Sequence, residues 1–219
     1  MGRLIAIADI HGYSEALTSL LRLIRPTADD IVVTLGDYCD RGPDTKGVLE
    51  CLIELRARCQ LVPLLGNHDQ MLLEIATGLD ELLEEWLDFG GRETLRSYGV
   101  NHPKLLPEKH LEFLAQCPLY FETDGYFFVH ANYLPEVPLQ LQPVEVLCWE
   151  SLKTRVPPPH VSGKIAVVGH TAQPTREVLD LGHLICLDTC CYGGGWLTAM
   201  EVPSRRLWQV DQQGRLRGG

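Results

Sequence analysis

Three times within its first 70 residues the chain repeats one pattern: a short apolar run, a polar cluster, and then residues with helical periodicity. The apolar runs cover 3–8, 31–35 and 61–65. The clusters behind them read Asp9-Ile10-His11-Gly12, Gly36-Asp37-Tyr38-Cys39-Asp40-Arg41-Gly42 and Gly66-Asn67-His68-Asp69. Leu17, Leu20, Leu21 and Ile24 recur at helical spacing after a candidate cap at Ser14, and Pro26 ends that stretch. A second helix is expected over 44–58, with Val48, Leu49, Leu52, Ile53 and Leu55 on its apolar face. Repeated strand–helix units imply a parallel sheet with right-handed crossovers. Ligand sites of such sheets gather at the carboxyl ends of the strands. The pattern therefore sets all three polar clusters along one sheet edge.

The chain then changes character. Between about 70 and 118 it reads as a series of helices punctuated by Gly90-Gly91 and Pro103, a helical insertion that covers one face of the sheet or shapes access to it. Strands return at 119–123 and 126–129, flanking the turn signal Asp124-Gly125. A proline-rich stretch follows over 135–159, with one short helix near 144–150. Further strands are expected at 165–168, 177–181, 183–187, 197–202 and 206–210. No repeat or interdomain linker interrupts this order, so residues 1–219 are expected to form one domain.

Composition narrows the class. The 219 residues are 45% hydrophobic, which suffices for a well-buried core. The formal charge of −10 argues against non-specific nucleic-acid binding, which depends on lysine and arginine neutralising phosphates. It leaves room for a small phosphate ester held by local positive charge or metal. The run over 4–8 is too short for a signal sequence or a membrane span. Eight cysteines without a CxxC pair read as reduced thiols of a cytoplasmic protein rather than a disulfide scaffold or structural zinc site. Neither nucleic acid nor membrane is expected as a partner.

Five apolar runs end on residues suited to metals: Asp9 with His11, Asp37, Asn67, His130 and His170. Singly, each has an ordinary role as helix cap, turn residue or core histidine. Five together are improbable on that basis. Carboxylate, amide oxygen and imidazole suit divalent ions, manganese first with iron or zinc as alternatives. With Asp37 shared, Asp9 and His11 complete one site, and Asn67, His130 and His170 complete a second. Two metals about 3.5–4 Å apart clamp a phosphoryl group and activate a shared hydroxide for in-line attack. His68 can then protonate the leaving oxygen. Asp40 is placed to hold that imidazole, and Arg41 can take phosphate oxygens in a bidentate fork.

In this order, the clusters at Asp9–Gly12, Gly36–Gly42 and Gly66–Asp69, with His130-Ala131 and Gly169-His170-Thr171, resemble the calcineurin-like metallophosphoesterase superfamily. More narrowly, they resemble the bacterial branch of the phosphoprotein phosphatase family. The resemblance implies an α/β fold, a four-layer α-β-β-α sandwich with a two-metal site at strand ends. It implies Asp9, His11 and Asp37 at one metal, and Asp37, Asn67, His130 and His170 at the other. His68 would be the general acid, oriented by Asp40, with Arg41 on the phosphate and Asp188 as support. Relatives often carry a second phosphate-binding arginine where Ser151 stands here; Arg155 is the nearby candidate to replace it. The first expectation is a phosphatase of phosphoserine and phosphothreonine in proteins, or of small phosphate esters. The alternatives are a symmetrical dinucleoside tetraphosphatase and a phosphoprotein-binding pseudo-enzyme.

Overall fold

A computed structural model describes residues 2–218. The expected repeats appear as β1 (Leu4–Ile7), α1 (Ser14–Ile24), β2 (Ile31–Thr34), α2 (Thr45–Leu55), β3 (Gln60–Pro63) and α3 (Asn67–Ala76). Strands β1, β2 and β3 pair in parallel, with Leu4 opposite Ile31 and Ile31 opposite Gln60. On the other side of β1 lie β9 (Leu197–Glu201) and β10 (Arg206–Val210), both antiparallel to their neighbours. The first sheet thus runs β10-β9-β1-β2-β3.

The second sheet holds β4 (Tyr120–Glu122), β5 (Tyr126–Val129), β6 (Ile165–Val168), β7 (Leu179–Asp180) and β8 (Leu184–Cys186) in the order β4-β5-β6-β8-β7. Strand β7 is shorter than the 177–181 expected: only Leu179 and Asp180 pair, between left-handed turns of the backbone at Arg176 (φ 61°) and Gly182 (φ 82°).

Alternation of side chains explains the layers. In β1, Ile5 and Ile7 face α1 and α2, packing with Leu17, Leu20, Val48 and Leu52. Ala6 and Ala8 face the other way, with Val33, Leu35 and Leu64, and meet Phe128, Val167 and Ile185 of the second sheet. Small residues on β1 let the two sheets approach. The outer face of the second sheet, with Phe127, Val129, Ala166 and Val168, is covered by Tyr133, Leu139 and α7 (Val144–Trp149), which supplies Leu147. Helices, two sheets and a thinner helical cover make the expected α-β-β-α sandwich.

Between β3 and β4 stand α3 and three further helices, α4 (Leu83–Trp86), α5 (Arg92–Tyr98) and α6 (Glu108–Ala115). A kink at Gly90, φ 114°, separates α4 from α5. Ser14 does not cap α1 as expected; its hydroxyl turns to the Asp44 carboxylate, which caps α2 through the Gly47 amide. All eight cysteines are free thiols. No described helix is long and apolar enough to cross a membrane.

Buried Asp30 locks the entry to both leading strands. Its carboxylate accepts from the Arg3 amide (2.8 Å), the Arg3 guanidinium (2.6 Å) and the Thr27 amide (2.8 Å). The hydrogen bond from Arg3 holds this carboxyl well below the usual carboxylate range. Asp30→Ala is expected to cost about 1–3 kcal/mol, read as a lower urea midpoint at unchanged slope. A depressed native pKa stabilises fully above the unfolded value and is lost as pH falls through the native one. The difference between wild type and variant should therefore narrow below about pH 4.

Candidate active site

The three clusters do meet along one edge. Asp37 leaves β2 in a left-handed conformation, φ 53°, and its buried carboxylate lies at the centre. Asp37 Oδ2 is 3.4 Å from His11 Nε2, and Oδ1 is 3.5 Å from His130 Nε2 and accepts from the His68 amide at 3.1 Å. Asn67 Oδ1 lies 3.1 Å from His130 Nε2 and 3.0 Å from His170 Nδ1. Among the described residues, two triads bring their donor atoms within 4.8 Å of one another: His11–Asp37–His68 and Asp37–His130–His170.

Backbone carbonyls settle the histidine tautomers. Nδ1 of His11 donates to the Cys39 carbonyl (3.0 Å), Nδ1 of His130 to Leu35 (2.6 Å) and Nε2 of His170 to Trp149 (3.1 Å). A carbonyl only accepts, so the other nitrogen of each neutral ring carries a lone pair. Those nitrogens face the oxygens of Asp37 and Asn67. Burial pushes all three pKa values down, that of His170 to about 4, which keeps the rings neutral near pH 7. At His130 and His170 lone pair thus faces lone pair across the centre, an arrangement that an interposed cation relieves.

The acids tell the same story. Asp9 is buried, and both its oxygens accept from the His170 amide, at 3.1 and 2.9 Å. It belongs to neither triad. Burial raises its pKa, and the charges of Asp188 and Asp37 raise it further. Asp188 accepts from the Cys190 amide through Oδ1 (2.9 Å), while buried Oδ2 has no partner among the described residues. Burial pushes the Asp188 pKa up to about 6. Three buried carboxyls, Asp9, Asp37 and Asp188, share this end of the sheets, and none forms an ion pair with a lysine or arginine among the described residues. The donor set therefore fits divalent cations.

His68 and Asp40 form a buried pair, Nδ1 to Oδ2 at 2.7 Å. Burial disfavours the imidazolium, but the charge of Asp37 and the hydrogen bond to Asp40 outweigh it and raise the His68 pKa. Arg41 Nη1 lies 2.7 Å from His11 Nε2, and its guanidinium stacks 4.1 Å above the Tyr192 ring. Arg155 stands apart: Nε donates to Glu150 (2.8 Å) and Nη2 to the Tyr133 carbonyl, and none of its hydrogen bonds reaches the cluster. Ser151 Oγ pairs with Thr171 instead.

Four supporting residues were not singled out from sequence. Asp69 accepts from the Tyr38 amide (2.9 Å) and the Gly66 amide (3.1 Å), clamping the second cluster to the third. An acid in the first turn of a helix is a capping signal that could have flagged it. Trp86 and Thr94 hydrogen-bond Asp40, and Tyr192 lies under Arg41. These three had no sequence signal, since a Trp or Thr in an amphipathic stretch reads as packing. Backbone strain concentrates here too: His11, Asp37, Asp40, Arg41 and His170 all have φ between 47° and 70°. Such conformations cost on the order of 1–3 kcal/mol each and persist where surrounding contacts over-determine them.

Against known families, residues 2–200 match the calcineurin-like phosphoesterase model. The chain belongs to that family. It is 34% identical to a symmetrical bis(5'-nucleosyl)-tetraphosphatase of Methylobacillus flagellatus over 278 aligned positions, covering 94% of each chain. It is 28% identical to serine/threonine-protein phosphatase 1 of Salmonella typhimurium over 205 positions, covering 90% of each. Of several other symmetrical tetraphosphatases it spans less than half, 42–44% of their length. Among solved structures, a putative diadenosine tetraphosphatase superimposes with TM-score 0.72 at 25% identity, over 95% of this chain and 93% of that one. The His/Asp cluster is compatible with the dinuclear metal site this family uses.

One glycine is a sharp test of the geometry. A Cβ on Gly66 would lie 2.2 Å from Asp37 Oδ1. Gly66→Ala must therefore displace the central carboxylate, and a 1 Å misplacement costs roughly 10²-fold in rate. The expected outcome is a loss of that order in kcat with an unchanged far-ultraviolet circular dichroism spectrum; near-wild-type turnover would contradict the central place of Asp37.

Proposed function

We propose that this chain is a metal-dependent hydrolase that cleaves symmetrical bis(5'-nucleosyl) tetraphosphates at a phosphoanhydride. The chemistry is supported by the convergence of acceptor atoms around Asp37. The substrate is carried by the 34% identity to a tetraphosphatase over 94% of both chains. This reverses the order expected from sequence, where protein phosphatase came first.

In this reading Asp9, His11 and Asp37 hold one ion, and Asp37, Asn67, His130 and His170 hold the other. Manganese is the first choice, with iron and zinc as alternatives. When bound, such a pair supplies Lewis-acid charge at the phosphoryl oxygens and lowers the pKa of water. The chain's own groups do the rest. Asp37 ties the strand ends together. Arg41, at the mouth, offers its guanidinium fork to phosphate oxygens. His68 keeps Nδ1–H on Asp40, which leaves Nε2 to deliver a proton to the departing oxygen. Asp188, buried close enough for its charge to act on Asp9, adds negative charge in support of the ligand cluster.

A specific observation favours a second reading, hydrolysis of phosphoserine and phosphothreonine in proteins. The alignment with the Salmonella phosphatase needs only 205 positions, whereas that with the Methylobacillus enzyme needs 278, more than the 219 residues here. That tetraphosphatase carries internal segments which this chain lacks. A panel of diadenosine tetraphosphate, phosphopeptides and an aryl phosphate, assayed with manganese on protein of measured metal content, separates the two. We expect the dinucleotide to give the highest kcat/KM and two nucleoside diphosphates as products; preference for phosphopeptides establishes the second reading.

Two variants test the roles. Asp37→Asn should abolish turnover and lower metal stoichiometry at both sites; normal metal content with normal rate would refute the shared ligand. His68→Asn should keep its metal and lose roughly 10²–10⁴-fold on an ester with a poor leaving group.

A further inference from the structure

Asp40 has more partners than a residue that orients one imidazole needs. It is fully buried and accepts three side-chain donors. Oδ2 takes His68 Nδ1 at 2.7 Å and Trp86 Nε1 at 2.8 Å, and Oδ1 takes the Thr94 hydroxyl at 2.7 Å. The Asp40 amide in turn donates to Thr94 Oγ1 at 2.8 Å, so Thr94 grips the residue by backbone and side chain together. No lysine or arginine forms an ion pair with Asp40 among the described residues.

Both extra donors come from the helical segment between β3 and β4. Trp86 ends α4 and Thr94 lies in the first turn of α5, on either side of the Gly90 kink. That kink is built around these contacts. A Cβ on Gly91 would lie 2.3 Å from the Trp86 ring, and one on Gly90 would lie 2.6 Å from the Arg41 amide. The Gly90 carbonyl also accepts from that amide at 3.1 Å. The α4–α5 turn therefore holds the strained Asp40-Arg41 loop at three points.

We infer that Trp86 and Thr94 are positioning residues for proton delivery, fixing the Asp40 carboxylate so that His68 presents Nε2 to the leaving oxygen. The inference rests on the reading of His68 as general acid. Its physical basis is the number of donors. A carboxylate held by one imidazole can rotate about its Cβ–Cγ bond and carry the ring with it; a buried indole N–H and a hydroxyl, one on each oxygen, fix its plane. They also spread its charge over three hydrogen bonds. Asp40 then stabilises the imidazolium without taking its proton. In the step, the proton leaves His68 Nε2 for the departing oxygen; His68 ends neutral with Nδ1–H still on Asp40, and Asp40 stays ionised throughout.

The test compares wild type, Trp86→Phe, Thr94→Val, Thr94→Ser and His68→Asn as full-length, manganese-loaded protein of measured metal content. Each is assayed for kcat and KM on p-nitrophenyl phosphate and on unsubstituted phenyl phosphate, whose leaving group is the poorer. Trp86→Phe keeps an aromatic ring, though a smaller one, and removes the N–H; Thr94→Val keeps the shape and removes the hydroxyl. Each is expected to lower kcat on phenyl phosphate on the order of 10-fold, with a smaller loss on the nitrophenyl ester and KM unchanged. Thr94→Ser restores the hydroxyl and should restore the rate. Equal losses on both esters, no loss, or a Thr94→Ser variant as slow as Thr94→Val would overturn the inference, provided His68→Asn shows the leaving-group dependence. If His68→Asn itself loses equally on both esters, the general-acid reading fails, and the positioning role falls with it.

Discussion

One buried negative charge organises this molecule. Asp37 sits at the end of β2 with almost no exposure, and an isolated carboxylate there would be neutralised by protonation. Burial does oppose its charge, but the surrounding imidazoles of His130, His68, His11 and His170 resist its protonation as they themselves take up protons in acid, and the carboxyl is held below its usual range. Each of those histidines comes from a different connection in the fold. The backbone accommodates them at a cost, with left-handed residues at His11, Asp37, Asp40, Arg41 and His170. Chemistry-bearing groups and strained backbone coincide because convergence on one point demands both.

The fold was legible because its signals are local. Each parallel strand announced itself as an apolar run, and each cluster followed at the strand end, so the shared sheet edge could be inferred before any contact was known. Asp37, Asn67, His130 and His170 were legible for the same reason. The unseen part is the support. Asp69 reaches Tyr38 across 31 residues, and Trp86 and Thr94 reach Asp40 across 46 and 54. Long-range hydrogen bonds leave no periodicity, and their residues look like ordinary amphipathic helix. Arg155 shows the converse: a nearby arginine suggested a phosphate ligand, but Glu150 is closer and of opposite charge.

The two kinds of relative share the family's chemistry; what differs among them includes internal segments present in the longer tetraphosphatase and missing here. Beside the cluster lie Arg41, stacked on Tyr192, and Trp149, whose carbonyl accepts from His170.

The central strand of the first sheet has its neighbours at opposite ends of the sequence. β1 pairs with β2 on one side and with β9 on the other, and Ile5 stands opposite Glu201. Just beyond β1, the Ala8 amide donates to Thr198 and the Asp9 carboxylate accepts from His170. During synthesis on the ribosome, the amino-terminal strands and helices can associate early, since their contacts are short in sequence. The centre cannot, because His170 lies 161 residues after Asp9 and β9 follows it. A nascent chain thus carries its first acids without the partners that complete them, and the cluster closes only once those later segments have been made.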